Sequence, residues 1–260
     1  MDSTSCNFNL RTLEIPVLSQ LKPMQPGARV VEVGDGIDGC AASGPRPDAW
    51  TEYIDARLVW EPLAELLLER PRCVLDLGCG DGHVARELSR RGFWAIGVDI
   101  QRAVGPQVVS RVESLPFRNE TFDLVLLVLV LMHVPRAEFT MREIRRVMKR
   151  GATLLIAVGN RQSFTGLAVR EGSPRFLNER IPYHYYRSYN RRQLKELLVC
   201  SGFKVKSIRC VTFVPRFVAN SHPKFLRRVL TVAVFAERML AAVPLIRWCG
   251  VRLLALGEAE

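Results

Sequence analysis

Residues 73–100, CVLDLGCGDGHVARELSRRGFWAIGVDI, constrain this chain more than any other stretch. Val74, Leu75 and Leu77 form a short apolar run that stops at Gly78-Cys79-Gly80-Asp81-Gly82. Residues 83–91 then place Val84, Ala85 and Leu88 on one helical face, and Gly92 stops the helix. Residues 93–98 read as a second buried strand, closed by Asp99. Such a unit puts a glycine-lined turn at the carboxyl edge of a parallel sheet, where doubly wound folds hold their ligands. Glycines let the backbone touch a ligand, and the following helix offers unpaired N–H groups. Asp99 stands about twenty positions beyond the strand, where an acid can accept hydrogen bonds from ribose hydroxyls.

The spacing separates two ligand classes. A dinucleotide fingerprint is G-x-G-x-x-G/A with pyrophosphate on the helix N-terminus. Here the glycines are Gly78, Gly80 and Gly82, and His83 takes the third fingerprint position. Asp76 and Asp81 bring negative charge into the turn, which would repel a pyrophosphate and suits a ligand with an amino group and a sulfonium. In these residues the chain resembles the class I, Rossmann-like S-adenosylmethionine-dependent methyltransferases, in the small-domain group with the motif VLDLGCGxG (methyltransferase type 11-like). The resemblance runs over roughly residues 72–213. It implies an α/β fold: a doubly wound, seven-stranded, mostly parallel sheet with an antiparallel last strand. It also implies S-adenosyl-L-methionine as cofactor. Gly78, Cys79 and Gly80 would approach it by backbone, with Asp76 and Asp81 favouring its cationic methionine end. Asp99 would hold the ribose, with Ile100 and Val112 beside the adenine and Val128 near the methyl donor. A Rossmann-like domain with an unused turn is the bland alternative.

Later segments follow the same family in order. Residues 111–117, RVESLPF, resemble D-A-E-x-L-P-F, but Arg111 stands where an acid is usual and, being donor-only, cannot accept from an adenine amino group. Asp123 opens the apolar run 121–134, TFDLVLLVLVLMHV, as in F-D-x-V. His133 is kept at its exit and is the candidate general base, since an imidazole titrates near neutrality; a structural His is the competing reading. Residues 135–149 read as a helix ended by Gly151, followed by a strand over 153–158. Asn190 is placed to cap a helix, and a sixth strand follows over 204–213. Tyr53, Tyr183, His184 and Tyr186 are candidates for the acceptor pocket, against the alternative of packing aromatics. Seven cysteines show no metal-ligand spacing, so no metal site is expected.

The expected organisation is an N-terminal extension (1–48, hairpin or loop), a methyltransferase core (49–221), a helical insertion or lid (222–249) between the last two strands, and a last strand with tail (250–260). The insertion is apolar and carries Arg227, Arg228, Arg238 and Arg247, a composition suited to lipid phosphates or a membrane surface. A formal net charge of +11 favours an anionic partner. Unpaired cysteines and an N-terminus without a signal pattern lead us to expect a cytoplasmic protein, peripheral to the inner membrane face if 222–249 touches lipid. The leading expectation is methyl transfer to an O or N atom of a small molecule, a glycan or a lipid-linked acceptor. RNA methylation is the first alternative, favoured only by charge. A non-catalytic cofactor-binding or scaffold protein is the second, kept open by Arg111, Leu129 and Met132.

Overall fold

The computed structural model describes residues 54–69, 71–101, 106–163, 187–212, 239 and 249–260. Tyr53, Tyr183, His184, Tyr186, the extension 1–48 and, apart from Met239 and Cys249, the insertion 222–249 lie outside the described residues.

The strands are β1 (Cys73–Leu77), β2 (Trp94–Asp99), β3 (Val108–Val109), β4 (Phe122–Val128), β5 (Met148–Gly159), β6 (Phe203–Val211) and β7 (Arg252–Ala259). They form one seven-stranded sheet in the order β3-β2-β1-β4-β5-β7-β6. The pairs among β1 to β5 are parallel, and β7 runs antiparallel between β5 and β6. This is the expected doubly wound sheet. The order reverses beside β1, so the crevice of a ligand site opens at the carboxyl ends of β1, β2 and β4.

Side-chain alternation splits the core between the two faces. Leu75, Leu77, Val125, Leu127, Leu154 and Ile156 pack on one face beneath helices α3 (Ala137–Val147) and α4 (Arg191–Cys200). Val74, Leu124, Leu126, Leu155 and Ala157 pack on the other, beneath α2 (His83–Arg90) and the N-terminal helical run. That run comprises a π-helical turn (Ala56–Trp60), α1 (Glu61–Leu66) and a 3-10 turn (Leu67–Glu69). Pro62 lies in the first turn of α1, and the π turn precedes it with Glu61 N–H donating to Ala56 O. Proline has no N–H to give its i−4 carbonyl, so the wider turn falls where the ordinary ladder fails. Leu58, Leu63 and Leu67 are fully buried, each worth about 1.5–3 kcal/mol of apolar transfer, and that holds the run on the sheet.

Several boundaries differ from expectation. The helix expected over 135–149 spans Ala137–Val147, and β5 begins at Met148. Met148 is extended, fully buried and paired with Phe122, so sheet packing overrides the helical periodicity. Gly151 therefore bends a strand, at φ +75°, instead of ending a helix. The sixth strand begins one residue earlier, at Phe203, and ends at Val211. The last strand, expected within 250–260, spans Arg252–Ala259. A Cβ on Gly250 would lie 2.9 Å from the Val211 carbonyl oxygen, so this glycine serves a close approach to β6 before the strand begins.

Candidate functional site

The carboxyl edge is built from the turn after β1. Gly78 and Cys79 donate their N–H groups to the Val98 carbonyl at 2.7 and 3.1 Å, which draws the turn over the end of β2. Gly78 has φ +70° and an added Cβ would meet Val130 Cγ2 at 2.1 Å, so both conformation and space demand glycine. Gly80 has φ +55° but an added Cβ would meet nothing within 4 Å. Among the described residues its surface is uncovered, as a backbone cradle must be. Gly97, on β2, leaves room for Cys79 Sγ and Gln107 Oε1, which would lie 2.8 and 2.7 Å from a Cβ there. Burial pushes the Cys79 thiol up to about 12, with Asp76 and Asp99 adding to it, so this sulfur is neutral packing and no nucleophile.

Asp99 ends β2 with its carboxylate held in place. Its Oδ2 accepts from Gly80 N–H at 3.0 Å and its Oδ1 from Gln101 N–H at 2.8 Å. A carboxylate has more lone pairs than these two bonds use, so it can accept further donors from the open side. Asp76 is buried in β1 between Gly97 and Leu126, on the face that carries the N-terminal run. Its Oδ2 has no hydrogen-bond partner among the described residues. Burial raises its pKa to about 7; His83 opposes the rise, and Asp55, Asp81 and Asp99 add to it. An unpartnered buried carboxyl oxygen costs free energy and marks a place where a donor or cation is missing.

The other expected site residues that lie among the described ones fall along the same edge, in different surroundings. Asp81 is largely exposed and already engaged: its Oδ1 lies 2.8 Å from His83 Nδ1. This contact holds its carboxyl below the usual range, against partial burial. Ile100 is 45% exposed beside Asp99 and presents an apolar surface. Val112 follows β3 and packs against the core, next to exposed Arg111. Val128 ends β4 on the same face as Asp76. His133 ends a 3-10 turn (Leu131–His133) that leaves this edge, half-buried, its N–H donating to Val130 O at 2.8 Å.

Two features escaped the sequence reading. Leu129 takes φ +60°, an uncommon conformation for a non-glycine residue, fixed by its N–H donating to Ala157 O at 2.9 Å. Strain of this kind gathers at functional sites, and nothing in the local sequence announces it. The second is His83, whose Nε2 lies 3.2 Å from Asp55 Oδ2 in the N-terminal run. The signal was an acid two positions before a histidine at a helix start, but Asp55 could be joined to it only through the fold.

Comparison with known proteins identifies the family. The methyltransferase-domain family pattern covers residues 50–208. The chain belongs to that family. A ubiquinone biosynthesis O-methyltransferase of Rhizobium johnstonii is 31% identical over 159 residues, 55% of this chain and 64% of that relative, so the match spans under two thirds of the relative's length. A protein of Encephalitozoon cuniculi with a methyltransferase name is 34% identical over 151 residues, 52% of this chain and 72% of its own. The crystal structure of an S-adenosylmethionine-dependent methyltransferase from Mesorhizobium loti has the same fold: TM-score 0.54, 18% identity, covering 79% of this chain and 99% of that one. S-Adenosylmethionine is the cofactor that this methyltransferase domain implies, and the residues fit it. The open face at Gly80, the unpartnered Asp76 oxygen and the spare acceptors of Asp99 suit a ligand with a cationic end and a diol.

Proposed function

We propose that this protein is an S-adenosylmethionine-dependent methyltransferase acting on an oxygen atom of a small or lipid-linked acceptor. The observation that carries the cofactor assignment is the buried, unpartnered Asp76 Oδ2 beside the open Gly80 turn. Bound here, the cofactor supplies a methyl carbon activated by an adjacent sulfonium. Asp76 supplies negative charge for the cationic end, Gly78, Cys79 and Gly80 line the turn, and Asp99 accepts from the ribose. Ile100 and Val112 form an apolar seat for the adenine. The strained exit of β4, Val128 to Val130, faces the acceptor and is apolar, which supports an acceptor with an apolar body. The Rhizobium relative, named for an O-methylation in ubiquinone biosynthesis, supports oxygen as the receiving atom. His133, at the same exit, is the candidate to take a hydroxyl proton. The chain's main contribution is to hold two reactants together and keep water out.

The test is calorimetric titration of the purified protein with S-adenosylmethionine, with Asp99→Ala alongside. Micromolar binding that the variant loses supports the reading, and an assay of labelled methyl transfer to hydroxylated lipid-soluble acceptors then follows. Failure of the folded wild type to bind sinks it and leaves a scaffold role.

One observation favours a second reading, RNA as acceptor. Phe139 on α3 is 50% exposed, and the Arg142 and Arg136 guanidinium carbons lie 4.7 and 5.7 Å from its ring centroid. An exposed ring between two cations is the unit that stacks a base and pairs its phosphates. Methyl transfer to total RNA, lost in Phe139→Ala together with Arg142→Glu, would replace the small-acceptor reading.

A further inference from the structure

His83 stands where the glycine turn becomes α2, and it joins parts of the chain that are distant in sequence. Its Nδ1 lies 2.8 Å from Asp81 Oδ1 and its Nε2 3.2 Å from Asp55 Oδ2. An ionised carboxylate only accepts hydrogen bonds, and a neutral imidazole has a single N–H. Nδ1 is hydrogen-bonded to Asp81, Nε2 makes an ion-pair contact with Asp55 without hydrogen-bond alignment, and a ring held between two carboxylates favours the imidazolium. Burial works against that charge, but the two carboxylates overcome it and raise the group to about 10. A cation in the first turn of a helix also opposes the macrodipole, so α2 gains nothing from it. Its reason lies elsewhere. The carboxyl groups of Asp55, Asp76, Asp81 and Asp99 act together on this edge. Against them, among the described residues, stand His83 and Arg86, whose Nη2 is 3.9 Å from Asp81 Oδ2.

We infer that His83 is a positioning residue that pins the N-terminal run to the glycine turn and sets how strongly this edge prefers the sulfonium cofactor over its neutral thioether product. The inference rests on the proposed cofactor. Cofactor and product differ by one methyl group and one positive charge. Uncompensated carboxylates at this edge would hold the cofactor far more tightly than the product and would resist the loss of its charge during transfer. The clasped imidazolium offsets part of that field. Asp81 is thereby a partner of His83 first and a source of negative charge for the ligand second.

The test is calorimetric titration of wild type, His83→Gln, His83→Arg and Asp55→Asn with S-adenosylmethionine and S-adenosylhomocysteine at low salt. One unit charge several ångströms away in a partly screened site shifts the ratio of product Kd to cofactor Kd about fivefold. We expect His83→Gln to raise that ratio by this factor, His83→Arg to restore most of it, and Asp55→Asn to move it the other way. Thermal melting establishes that each variant is folded, and Asp55→Asn carries the test should His83→Gln not fold. If both dissociation constants change by the same factor, or neither changes, His83 is a structural pin only and the inference fails. Wild type that binds neither ligand overturns the cofactor assignment itself, whereas wild type that binds both with an unmoved ratio overturns this inference alone.

Discussion

Asp76 and Asp123 stand near opposite ends of the two central strands, and the protein treats them in opposite ways. Asp123, at the amino edge, accepts from Arg72 N–H at 3.0 Å, from Cys73 N–H at 2.9 Å and from Lys149 Nζ at 2.7 Å. Partial burial would raise its pKa, yet Lys149 and the two backbone donors prevail and hold it below the ordinary range. Asp76, at the carboxyl edge, is buried with an oxygen unpartnered, and its pKa is raised. The first carboxylate is spent on joining β1, β4 and the start of β5. The second carries an unmet demand. The same residue type is thus scaffold at one edge and, at the other, the unpartnered acid proposed to meet the cofactor, and the difference lies in how many donors the fold itself supplies.

Substitutions at the two edges should separate accordingly. The largest effect is expected from Gly78→Ala, because the new methyl would lie 2.1 Å from Val130 Cγ2 at φ +70°. Left-handed backbone alone costs about 1–2 kcal/mol for a residue with a Cβ, and the β-branched Val130 cannot turn away freely. Melting should drop by several degrees and calorimetry should detect no cofactor binding. Next comes Asp99→Ala, which removes the acceptor of Gly80 N–H and Gln101 N–H as well as the proposed acceptor of the ribose. Its cofactor Kd should rise on the order of 100-fold, the worth of one or two charge-assisted hydrogen bonds. Asp123→Ala should do the reverse. Denaturant unfolding should show a loss of about 1–3 kcal/mol from the stranded donors, while the cofactor Kd stays within about twofold. If Asp123→Ala weakened the cofactor as much as Asp99→Ala, the division between the edges would be wrong.

The sequence carried the two edges unequally. Glycines at Gly78, Gly80 and Gly82 and an acid at Asp99 announce the turn because backbone conformation and acceptor chemistry allow few other residues there. The core announces itself too, since buried strands must be apolar on both faces. What the chain did not disclose depends on partners brought together by the fold. Met148 looks helical until Phe122 pairs with it. Arg146 sits in a cluster that suits a helix end, but its guanidinium donates to the Leu115 and Phe117 carbonyls and ties down the loop before β4. Nothing in residues 81–83 reveals that Asp55 completes the clasp on His83. Periodicity and turn chemistry are local properties, whereas the hydrogen-bond count of a carboxylate is a property of the folded chain.

The smallest effect is also the most specific to Asp76. Its carboxyl titrates near 7 without the cofactor, and a cationic ligand favours the ionised form, so binding releases a proton below that pH. Cofactor affinity should therefore fall by up to about tenfold per unit as pH drops below about 7, and level off above it. Calorimetry in buffers of different ionisation enthalpy would count the proton. Folding stability runs the other way. The folded-state pKa lies above the ordinary value of 3.8, so the contribution of Asp76 to stability is full in acid and is lost as pH rises through about 7. General acid unfolding would lower stability and affinity together, whereas Asp76 makes the ligand-free protein more stable and its binding weaker in the same window. Asp76→Asn should flatten both curves. Asp123→Asn, whose parent carboxylate lies below the ordinary range, should leave the dependence near pH 7 as it was. A wild-type affinity that does not vary between about pH 6 and 8 would mean that Asp76 is not the carboxyl group that meets the cofactor's charge.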